Sequence, residues 1–273
     1  MAPRFEDGKE HQFNFAQKYN DLYKEDVLPA FEARRSNSDE EFSGFFKNTL
    51  ESEQNEILKR WGSRFSTPEK HQKSVKEYYR LVTEVDDVIG KLIAKLEENG
   101  LSENTVIIYT SDNGFYLGEH GLAGKWYGRE PSIHVPLMIF DPRLEKSRRG
   151  KSHEQMVLNI DVAPTILELA GIVPDNNMKG KSLTALYSEE SVTWRKQFYY
   201  EDLLPVANSP RSQGIRTEKY KYLNYIDSAN RYEELYDIEN DPNEKSNLAL
   251  NDANREVLEE LRNKVKENYL LCN

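Results

Sequence analysis

The feature that most constrains the fold of this 273-residue chain is a long amphipathic helix that leads directly into a short apolar segment. The helix has a predicted start, with Thr67 as the N-cap and Pro68 at the first helical position, and a predicted end at Asn99-Gly100. The apolar run Val106–Tyr109 follows, and this order predicts a parallel strand buried between helices. The apolar residues at helical spacing are Val75, Tyr78, Leu81, Val82, Val85, Val88, Ile89, Leu92, Ile93 and Leu96.

The pattern of the chain changes near residue 190. Before that point, VPLMIFDPR (135–143) predicts a second strand, and MVLNIDVAPTILELAGI predicts a strand and then a helix, with Asp161 as N-cap and Gly171 as C-cap. After it, the aromatic segments QFYYED, GIRTEKYKYLNYI and YEELYDI predict short antiparallel strands, and NREVLEELRNKVKENYLL predicts a closing helix. The polar residues 1–65 are expected to form a long excursion over the core.

These elements predict an α/β fold in two parts. Residues 1–190 are expected to contain a mostly parallel sheet flanked by helices, and residues 191–273 a C-terminal α+β subdomain. That subdomain consists of a small antiparallel sheet and the closing helix. Apolar residues make up 37% of the chain and aromatic residues 11%, which is enough for a hydrophobic core.

Composition excludes several classes of protein. The 37 Lys and Arg against 47 Asp and Glu leave a net charge of −10, which argues against a nucleic-acid-binding surface. A mean hydropathy of −0.81 and the lack of an apolar run near 20 residues exclude a membrane span. The single cysteine, Cys272, allows neither an internal disulfide nor a cysteine metal cluster. The opening MAPRFEDGKEHQFNF has no apolar core of a signal peptide.

Polar and glycine residues crowd into the stretch SDNGFYLGEHGLAGKWYGREPSIHVPL, residues 111–137. Ligands of α/β sheets gather at the carboxyl ends of strands, and Asp112 and Asn113 follow the apolar run at that end. Both side chains can address one ion only if the backbone turns there, which Gly114 permits. Carboxylate and amide oxygens suit calcium or magnesium, although two ligands are too few for either. The alternative is an ordinary turn, since Asp-Asn and Asn-Gly are common turn formers.

Other residues of this stretch carry weaker signals. Lys125 lies between a glycine and a tryptophan, which favours an anion contact; the alternative is a surface lysine whose ammonium reaches solvent. His120 and His134 are isolated histidines, for which a simple hydrogen-bonded role is the alternative. Arg129 and Glu130 are expected to pair with each other.

The order SDNG, FYLGEHGL, AGK, a glutamate five residues later and IHVPLMIFDPR resembles the sulfatase family of the alkaline phosphatase superfamily. The resemblance continues in NIDVAPTILELAGI and in GIRTEKYKYLNY and YEELYDIENDPNEKSNLA, which are similar to the family's C-terminal subdomain. The helix VKEYYRLVTEVDDVIGKL also agrees, so the resemblance covers the chain from about residue 68 to its end. It implies a partial alkaline-phosphatase-like sandwich.

The resemblance implies a role for several of these residues. Asp112 and Asn113 match the family's second pair of metal ligands, usually for Ca²⁺, with Mg²⁺ as the other choice. Lys125 matches the lysine that contacts the sulfate oxygens and steadies the leaving group, and His120 lies where several members contact substrate or sulfate. His134 matches a variable position, which favours a structural role. A dication and a lysine that converge on a sulfuryl group would stabilise its developing charge.

The chain also departs from the family pattern. Sulfatases use a formylglycine made from Cys or Ser in a C/S-x-P-S-R motif, and the sequence contains no such motif, since Cys272 is followed only by Asn273. The family's early Asp-Asp metal pair is missing as well, as are the Lys and His that follow the nucleophile. In the opening MAPR, Arg4 takes the place of the histidine in the family's A-P-H segment. We therefore expect the chain to be the C-terminal part of a sulfatase, with the site completed by a missing N-terminal part.

Three functions follow from this resemblance. The first is hydrolysis of sulfate esters, with carbohydrate sulfates as the substrate class. The second is a non-catalytic remnant that binds sulfated glycans or a partner protein. The third is a phosphoesterase or phosphonate hydrolase of the same superfamily, because sulfate and phosphate esters demand similar sites. An upstream C/S-x-P-S-R motif would favour the first function, and an upstream Thr or Cys nucleophile outside that context would favour the third.

The expected partners are a sulfated small molecule or glycan, with neither nucleic acid nor a membrane. Four aromatic residues could stack on sugar rings, although core packing is expected for half of them: Phe115, Tyr116, Trp126 and Tyr127. Missing first strands would expose a sheet edge and apolar helix faces, so we expect association with the missing part or self-association. The family's usual location would be periplasmic or secreted.

Overall fold

A computed structural model describes residues 13–29, 56–188, 192–203, 210–226 and 232–272. The helices are α1 (Glu56–Arg64), α2 (Pro68–Glu98), α3 (Glu130–Ile133), α4 (Val162–Leu169), α5 (Thr184–Ser188) and α6 (Arg255–Cys272). The strands are β1 (Ile107–Thr110), β2 (Tyr116–Leu117), β3 (Ala123–Gly124), β4 (Leu137–Phe140), β5 (Gln197–Asp202), β6 (Ser212–Thr217), β7 (Tyr220–Tyr225) and β8 (Tyr232–Asp237). No helix in these ranges is long and apolar enough to cross a membrane.

The long helix α2 is confirmed with its predicted start. Thr67 is extended, and its side-chain oxygen accepts a 3.3 Å hydrogen bond from the backbone N–H of Lys70, so it caps the helix. Pro68 occupies the first helical position, where the missing N–H costs nothing. The helix ends at Glu98, immediately before the predicted Asn99-Gly100.

Residues 13–29 lie along α2 as a mostly irregular segment with one 3-10 turn at Gln17–Tyr19, which agrees with the predicted excursion. The prediction of an irregular chain is wrong for residues 56–64, which form helix α1. Acidic side chains of α2 accept hydrogen bonds from the backbone of residues 13–29. Glu77 Oε2 accepts from Phe13 N at 3.3 Å, and Glu84 Oε2 accepts from Ala16 N at 3.1 Å. Further along, the hydroxyl of Tyr19 donates to a carboxylate of α2. The Arg4 substitution lies outside the described residues.

The α/β class is confirmed, but the first sheet has a different direction from the one expected. Strands β1 and β4 pair antiparallel, with Ile107 opposite Phe140 and Thr110 opposite Leu137, and every strand pair in the described ranges is antiparallel. The chain returns from β1 to β4 through loops and the four-residue helix α3, and an antiparallel neighbour needs no helical crossover. In β4, Met138 and Phe140 are about half exposed, so this strand is not buried on both faces.

The passage from residue 156 to 171 is correct for the helix and wrong for the strand. Helix α4 forms as expected, but a single 3-10 turn, Asn159–Asp161, replaces the predicted strand. Asp161 is the residue before α4, as predicted, but its carboxylate does not cap that helix. It accepts from Leu158 N, which caps the 3-10 turn, and from Lys181 N, both at 2.8 Å, and it pairs with Arg195. The hydrogen bonds of the buried Asp161 carboxylate therefore stabilise a turn at 159–161, where the apolar pattern predicted a strand.

The C-terminal part is the predicted antiparallel sheet with its closing helix. The order is β5-β6-β7-β8, and α6 packs on one face through a buried apolar cluster of Ile215, Tyr222, Leu235, Leu258, Leu261 and Val265. A second cluster on the other side joins the sheet to the polar stretch 111–137, with Tyr116, Leu122, Tyr127, Leu223 and Tyr225 as its buried members. The division into two domains at residue 190 stays a prediction.

Candidate functional site

The Asp-Asn pair lies in a turn at the carboxyl end of β1. Asn113 N donates to Asp112 Oδ1 at 3.0 Å, and Ser111 Oγ donates to Asn113 O at 2.8 Å. Gly114 follows, and a Cβ at this position would lie 2.2 Å from the carbonyl oxygen of Pro131. The backbone N–H of Gly114 also donates to Ser132 O at 2.7 Å. Close contact with α3 therefore requires glycine here and sets the end of the turn.

The structure brings Lys125 to this turn. Strands β2 and β3 form a hairpin in which Tyr116 pairs with Gly124, and this pairing returns the chain to the start of the stretch. Lys125 then donates from Nζ to Asn113 Oδ1 at 2.6 Å. A predicted metal ligand and the predicted sulfate-binding lysine thus meet at one point, although twelve positions separate them in the sequence.

His120 lies elsewhere in the same hairpin. It occupies the closed end, in the 3-10 turn Glu119–Gly121, whereas Lys125 and Asn113 lie beyond the open end. The residue is half-buried with φ +57°, and its ring meets that of Tyr116 edge-on at 6.4 Å. Its role as a substrate contact stays a prediction. His134 is exposed, with Nδ1 4.0 Å from Glu130 Oε2.

Sequence reasoning missed Glu119, the neighbour of His120. Its Oε2 accepts a 2.5 Å hydrogen bond from the backbone N–H of Leu117, so the carboxyl group folds back over the hairpin. Burial raises the pKa of Glu119, and this effect outweighs the backbone hydrogen bonds that lower it. The LGEHG segment therefore carries a half-buried carboxyl group at the closed end of the hairpin, beside His120.

The four aromatic residues divide as expected between core and surface. Tyr116 and Tyr127 are fully buried, and Tyr116 donates its hydroxyl to Tyr127 O at 3.2 Å. Phe115 and Trp126 are half-buried, with Phe115 stacked on Tyr78 at 5.7 Å between ring centroids. The core role predicted for half of this set is confirmed.

A cation that the sequence did not indicate, Arg60, lies beside Trp126, the residue after Lys125. The guanidinium of Arg60, from α1, lies over the ring of Trp126 at 4.7 Å from its centroid. A Cβ on the preceding Gly124 would lie 3.6 Å from an Arg60 Nη atom. Arg60 therefore lies next to both sequence neighbours of Lys125. Sixty-five positions separate Arg60 from Lys125, so spacing alone could not connect them.

The expected pairing between Arg129 and Glu130 is wrong. Arg129 pairs instead with Glu234 on β8, at 2.5 Å, and Glu130 pairs with Arg216 and Lys221 at 3.1 and 2.9 Å. Consecutive side chains here point toward different parts of the C-terminal sheet. Burial lowers the pKa of Arg129, but the Glu234 carboxylate outweighs it, so the net pKa is raised and the guanidinium stays charged.

The oxygens of Asp112 and Asn113 fit part of a site for a hard divalent cation. The Asp112 carboxylate is exposed, and the Asn113 amide oxygen already faces a positive charge, the Lys125 ammonium. Within the described ranges, however, no group of three or more His, Cys, Asp or Glu side chains is arranged to hold a metal ion. These two residues alone do not complete a calcium or magnesium shell.

Two family models match the chain. One, described as sulfatase, matches residues 10–172, and the other, described as N-sulphoglucosamine sulphohydrolase, C-terminal, matches residues 118–269. The N-acetylglucosamine-6-O-sulfatase of Bacteroides thetaiotaomicron is 36% identical over 184 residues, which are 66% of this chain and 32% of that protein. The chain spans about a third of the length of the curated relatives that it matches.

Solved structures share the fold. One is a protein in complex with its substrate D-glucosamine-2-N,6-O-disulfate; it is 32% identical, has a TM-score of 0.68 and is matched over 77% of this chain and 44% of its own. Another is the phosphonate monoester hydrolase of Agrobacterium radiobacter, at 29% identity and a TM-score of 0.63, matched over 75% of this chain and 42% of its own. The expected alkaline-phosphatase-like architecture is thereby confirmed.

Proposed function

We propose, since this chain belongs to the sulfatase family, that it supplies three residues to a site that hydrolyses sulfate esters. These residues are Asp112, Asn113 and Lys125. Carbohydrate sulfates are the proposed substrate class. The observation that supports the proposal is the 2.6 Å hydrogen bond from Lys125 Nζ to Asn113 Oδ1, which joins the proposed sulfate-binding lysine to one of the two proposed metal ligands.

Lys125 has the chemistry to bind a sulfuryl group. Its ammonium offers three donors and a full positive charge, which suit the oxygens of a sulfate ester and the charge that develops on the leaving oxygen. Arg60 lies over the ring of the adjacent Trp126, 4.7 Å from its centroid. The half-buried Trp126 presents an apolar surface next to these charges, as a sugar ring requires.

Asp112 and Asn113 would hold a Ca²⁺ or Mg²⁺ ion together with ligands from outside the described residues. When bound, such an ion polarises sulfuryl oxygens as a Lewis acid. The residues of this chain would orient the sulfuryl group: the turn holds Asp112 and Asn113 next to each other, and Lys125 donates to Asn113 Oδ1. A formylglycine nucleophile belongs to the same proposal, but the sequence contains no C/S-x-P-S-R motif.

The substrate class is supported by two relatives. An N-acetylglucosamine-6-O-sulfatase and a protein bound to D-glucosamine-2-N,6-O-disulfate both act on or bind amino-sugar sulfates. The test is a titration of the chain with glucosamine 6-sulfate in the presence of Ca²⁺. Binding is measured as changes in the NMR chemical shifts of residues 111–127. Unsulfated glucosamine is the control, and equal shifts with both sugars would contradict a sulfate site.

Activity is tested separately from binding. We expect the purified 273-residue chain to show no hydrolysis of an aryl sulfate, because a nucleophile motif and half of a metal shell are missing from its sequence. Measurable turnover would overturn this expectation. Binding of the sulfated sugar without turnover is expected for the non-catalytic alternative as well. Turnover is therefore also measured after an N-terminal part of a sulfatase is added to the chain. The proposed partner is such a part, and the proposed location is periplasmic or secreted.

A phosphonate or phosphate monoester is the second candidate substrate. The fold match to a phosphonate monoester hydrolase at 29% identity favours it. A lysine and a hard-cation half-site suit both ester classes, since each carries anionic oxygens on a tetrahedral centre. Competition between glucosamine 6-sulfate and phenylphosphonate for the same NMR shifts would rank the two.

A further inference from the structure

The C-terminal sheet is connected to the candidate site through helix α3. This helix is only four residues long, but it contacts the turn that carries Asp112 and Asn113. Its Ser132 carbonyl accepts from Gly114 N at 2.7 Å, and its Pro131 carbonyl lies where a Gly114 side chain would be. Any shift of α3 would therefore displace the turn that carries Asp112 and Asn113.

The position of α3 is in turn set by Arg129, the residue just before its first turn. Arg129 and Glu234 are both fully buried, and they are joined by Nη2 to Oε1 at 2.5 Å and Nε to Oε2 at 3.4 Å. Glu234 also accepts from the hydroxyls of Tyr225 at 3.2 Å and Tyr232 at 3.4 Å. A buried pair with these extra hydrogen bonds has a single favourable geometry, since a displaced partner would leave a desolvated charge.

A second set of charges holds the first residue of α3. The carboxylate of Glu130 pairs with Arg216 and Lys221, while its backbone N–H donates to Glu244 Oε2 at 2.7 Å. Lys221 bridges the two carboxylates, since its Nζ also lies 2.6 Å from Glu244 Oε1. Lys221 and Glu244 are buried, so this set is shielded from solvent.

The same contacts reach the lysine side of the site. The chain from Lys125 to Arg129 passes over the C-terminal sheet, where Tyr127 packs with Leu223 and Tyr225. A Cβ at Gly128 would lie 2.7 Å from Leu223, so the backbone is pressed against the sheet. Both ends of the contact between Lys125 and Asn113 are thus connected to the same sheet.

We infer that Glu234 and Glu244 are positioning residues that act through Arg129 and Glu130 to fix α3. Helix α3 in turn holds the turn that carries Asn113, while the packing of Tyr127 on the same sheet holds the chain next to Lys125. The inference rests on the proposed function only for the chemical roles of Asn113 and Lys125. The C-terminal sheet thus has two roles: it forms the core with α6, and it fixes the positions of the residues of the candidate site.

Hydrogen exchange tests this inference in the full chain without ligand. Glu234→Gln keeps the shape of the side chain but leaves Arg129 without its carboxylate. The matched control is Glu233→Gln, because Glu233 is the adjacent residue on β8 and pairs with Arg262 of α6 instead. We expect Glu234→Gln to raise amide exchange at 113–116 and 125–133 by about tenfold or more, and Glu233→Gln to raise it mainly in β8 and α6.

Several outcomes would overturn the inference. They are equal exchange at 113–116 in the two variants, or a rise in Glu234→Gln that is uniform over the whole chain. If Glu234→Gln does not fold, Arg216→Gln is the second variant, since Arg216 is half-buried and its pair with Glu130 is peripheral. It should raise exchange over the same residues by a smaller factor, and unchanged exchange at 113–116 would contradict the inference.

A sulfate titration separates this inference from the proposed function. If inorganic sulfate binds the wild-type chain, Glu234→Gln should weaken binding and Glu233→Gln should not. Failure of sulfate to bind the wild-type chain would count against the proposed function, while the exchange data would still decide the inference. Glu234→Gln could raise amide exchange selectively at 113–116 and 125–133 and still bind sulfate as tightly as the wild-type chain. That result would contradict the part of the inference that concerns Lys125.

Discussion

Lys125 Nζ donates a 2.6 Å hydrogen bond to Asn113 Oδ1, and this contact joins two residues that the sequence assigned to different tasks. One was expected to hold a metal and the other a sulfate. Their contact means that the two tasks concern the same point of the structure. A change at either residue therefore removes a hydrogen bond from the other.

Replacement of Lys125 by alanine should weaken binding of glucosamine 6-sulfate by about tenfold or more, because a charge-assisted hydrogen bond contributes roughly 1.5–3 kcal/mol. Isothermal titration measures the change. Lys151→Ala is the control, since Lys151 is an exposed lysine outside the site. A similar loss in both variants would indicate only a general effect of charge.

Replacement of Gly114 by alanine should destabilise the fold by about 1–3 kcal/mol, because the new Cβ would lie 2.2 Å from Pro131 O and force α3 and the turn apart. Urea unfolding measures the free energy of unfolding. Gly90→Ala is the matched control: it lies inside α2 with nothing within 4 Å of the new Cβ. There alanine should stabilise by roughly 0.5–1 kcal/mol. A neutral Gly114→Ala would contradict the close approach of α3.

The pH dependence of stability should report on Glu130. Burial raises the pKa of this carboxyl group, but Lys221 and Arg216 outweigh burial, so its net pKa lies below the ordinary value of 4.5. A carboxyl group whose folded pKa is depressed stabilises the fold above its unfolded pKa, and this contribution disappears as the pH falls through the folded value.

We therefore expect the free energy of unfolding of the wild-type chain to fall between about pH 5 and pH 3, and that of Glu130→Gln to fall less over the same window. Chemical denaturation at each pH measures both. Glu97→Gln, at an exposed position of α2, serves as the control and should follow the wild-type curve. Parallel curves for Glu130→Gln and wild type would show that the ion pairs of Glu130 add no stability.

The isolated chain should self-associate. Helix α2 exposes Val88, Leu92 and Ile93 by 59%, 51% and 41%, and Val88 and Leu92, four residues apart, are neighbours on one helix surface. Leu92→Lys should therefore lower the weight-average mass seen in sedimentation equilibrium. Leu250→Lys, which replaces an exposed leucine away from α2, is the control. A monodisperse wild-type monomer with a cooperative melt would contradict the prediction.

The local elements were largely predictable because their causes are local. A threonine cap, a proline at the first helical position and a 3.6-residue apolar repeat suffice for α2, and tyrosine-rich alternation suffices for β5–β8. The strand predicted before Asp161 failed for a reason that periodicity does not contain. The carboxylate of Asp161 binds Arg195 and Lys181 N, which lie far along the chain, and this contact curls the backbone.

The sequence by itself determined the residue types of the candidate site, since Asp112, Asn113 and Lys125 follow from an ordered series of motifs. Only the tertiary structure decided that Lys125 meets Asn113, that His120 lies at the other end of the hairpin, and that Arg129 pairs with a carboxylate 105 positions away. The reason is physical. A buried charge must find its partner in three dimensions, wherever the packed elements place one, and a spacing rule along the chain does not contain that information.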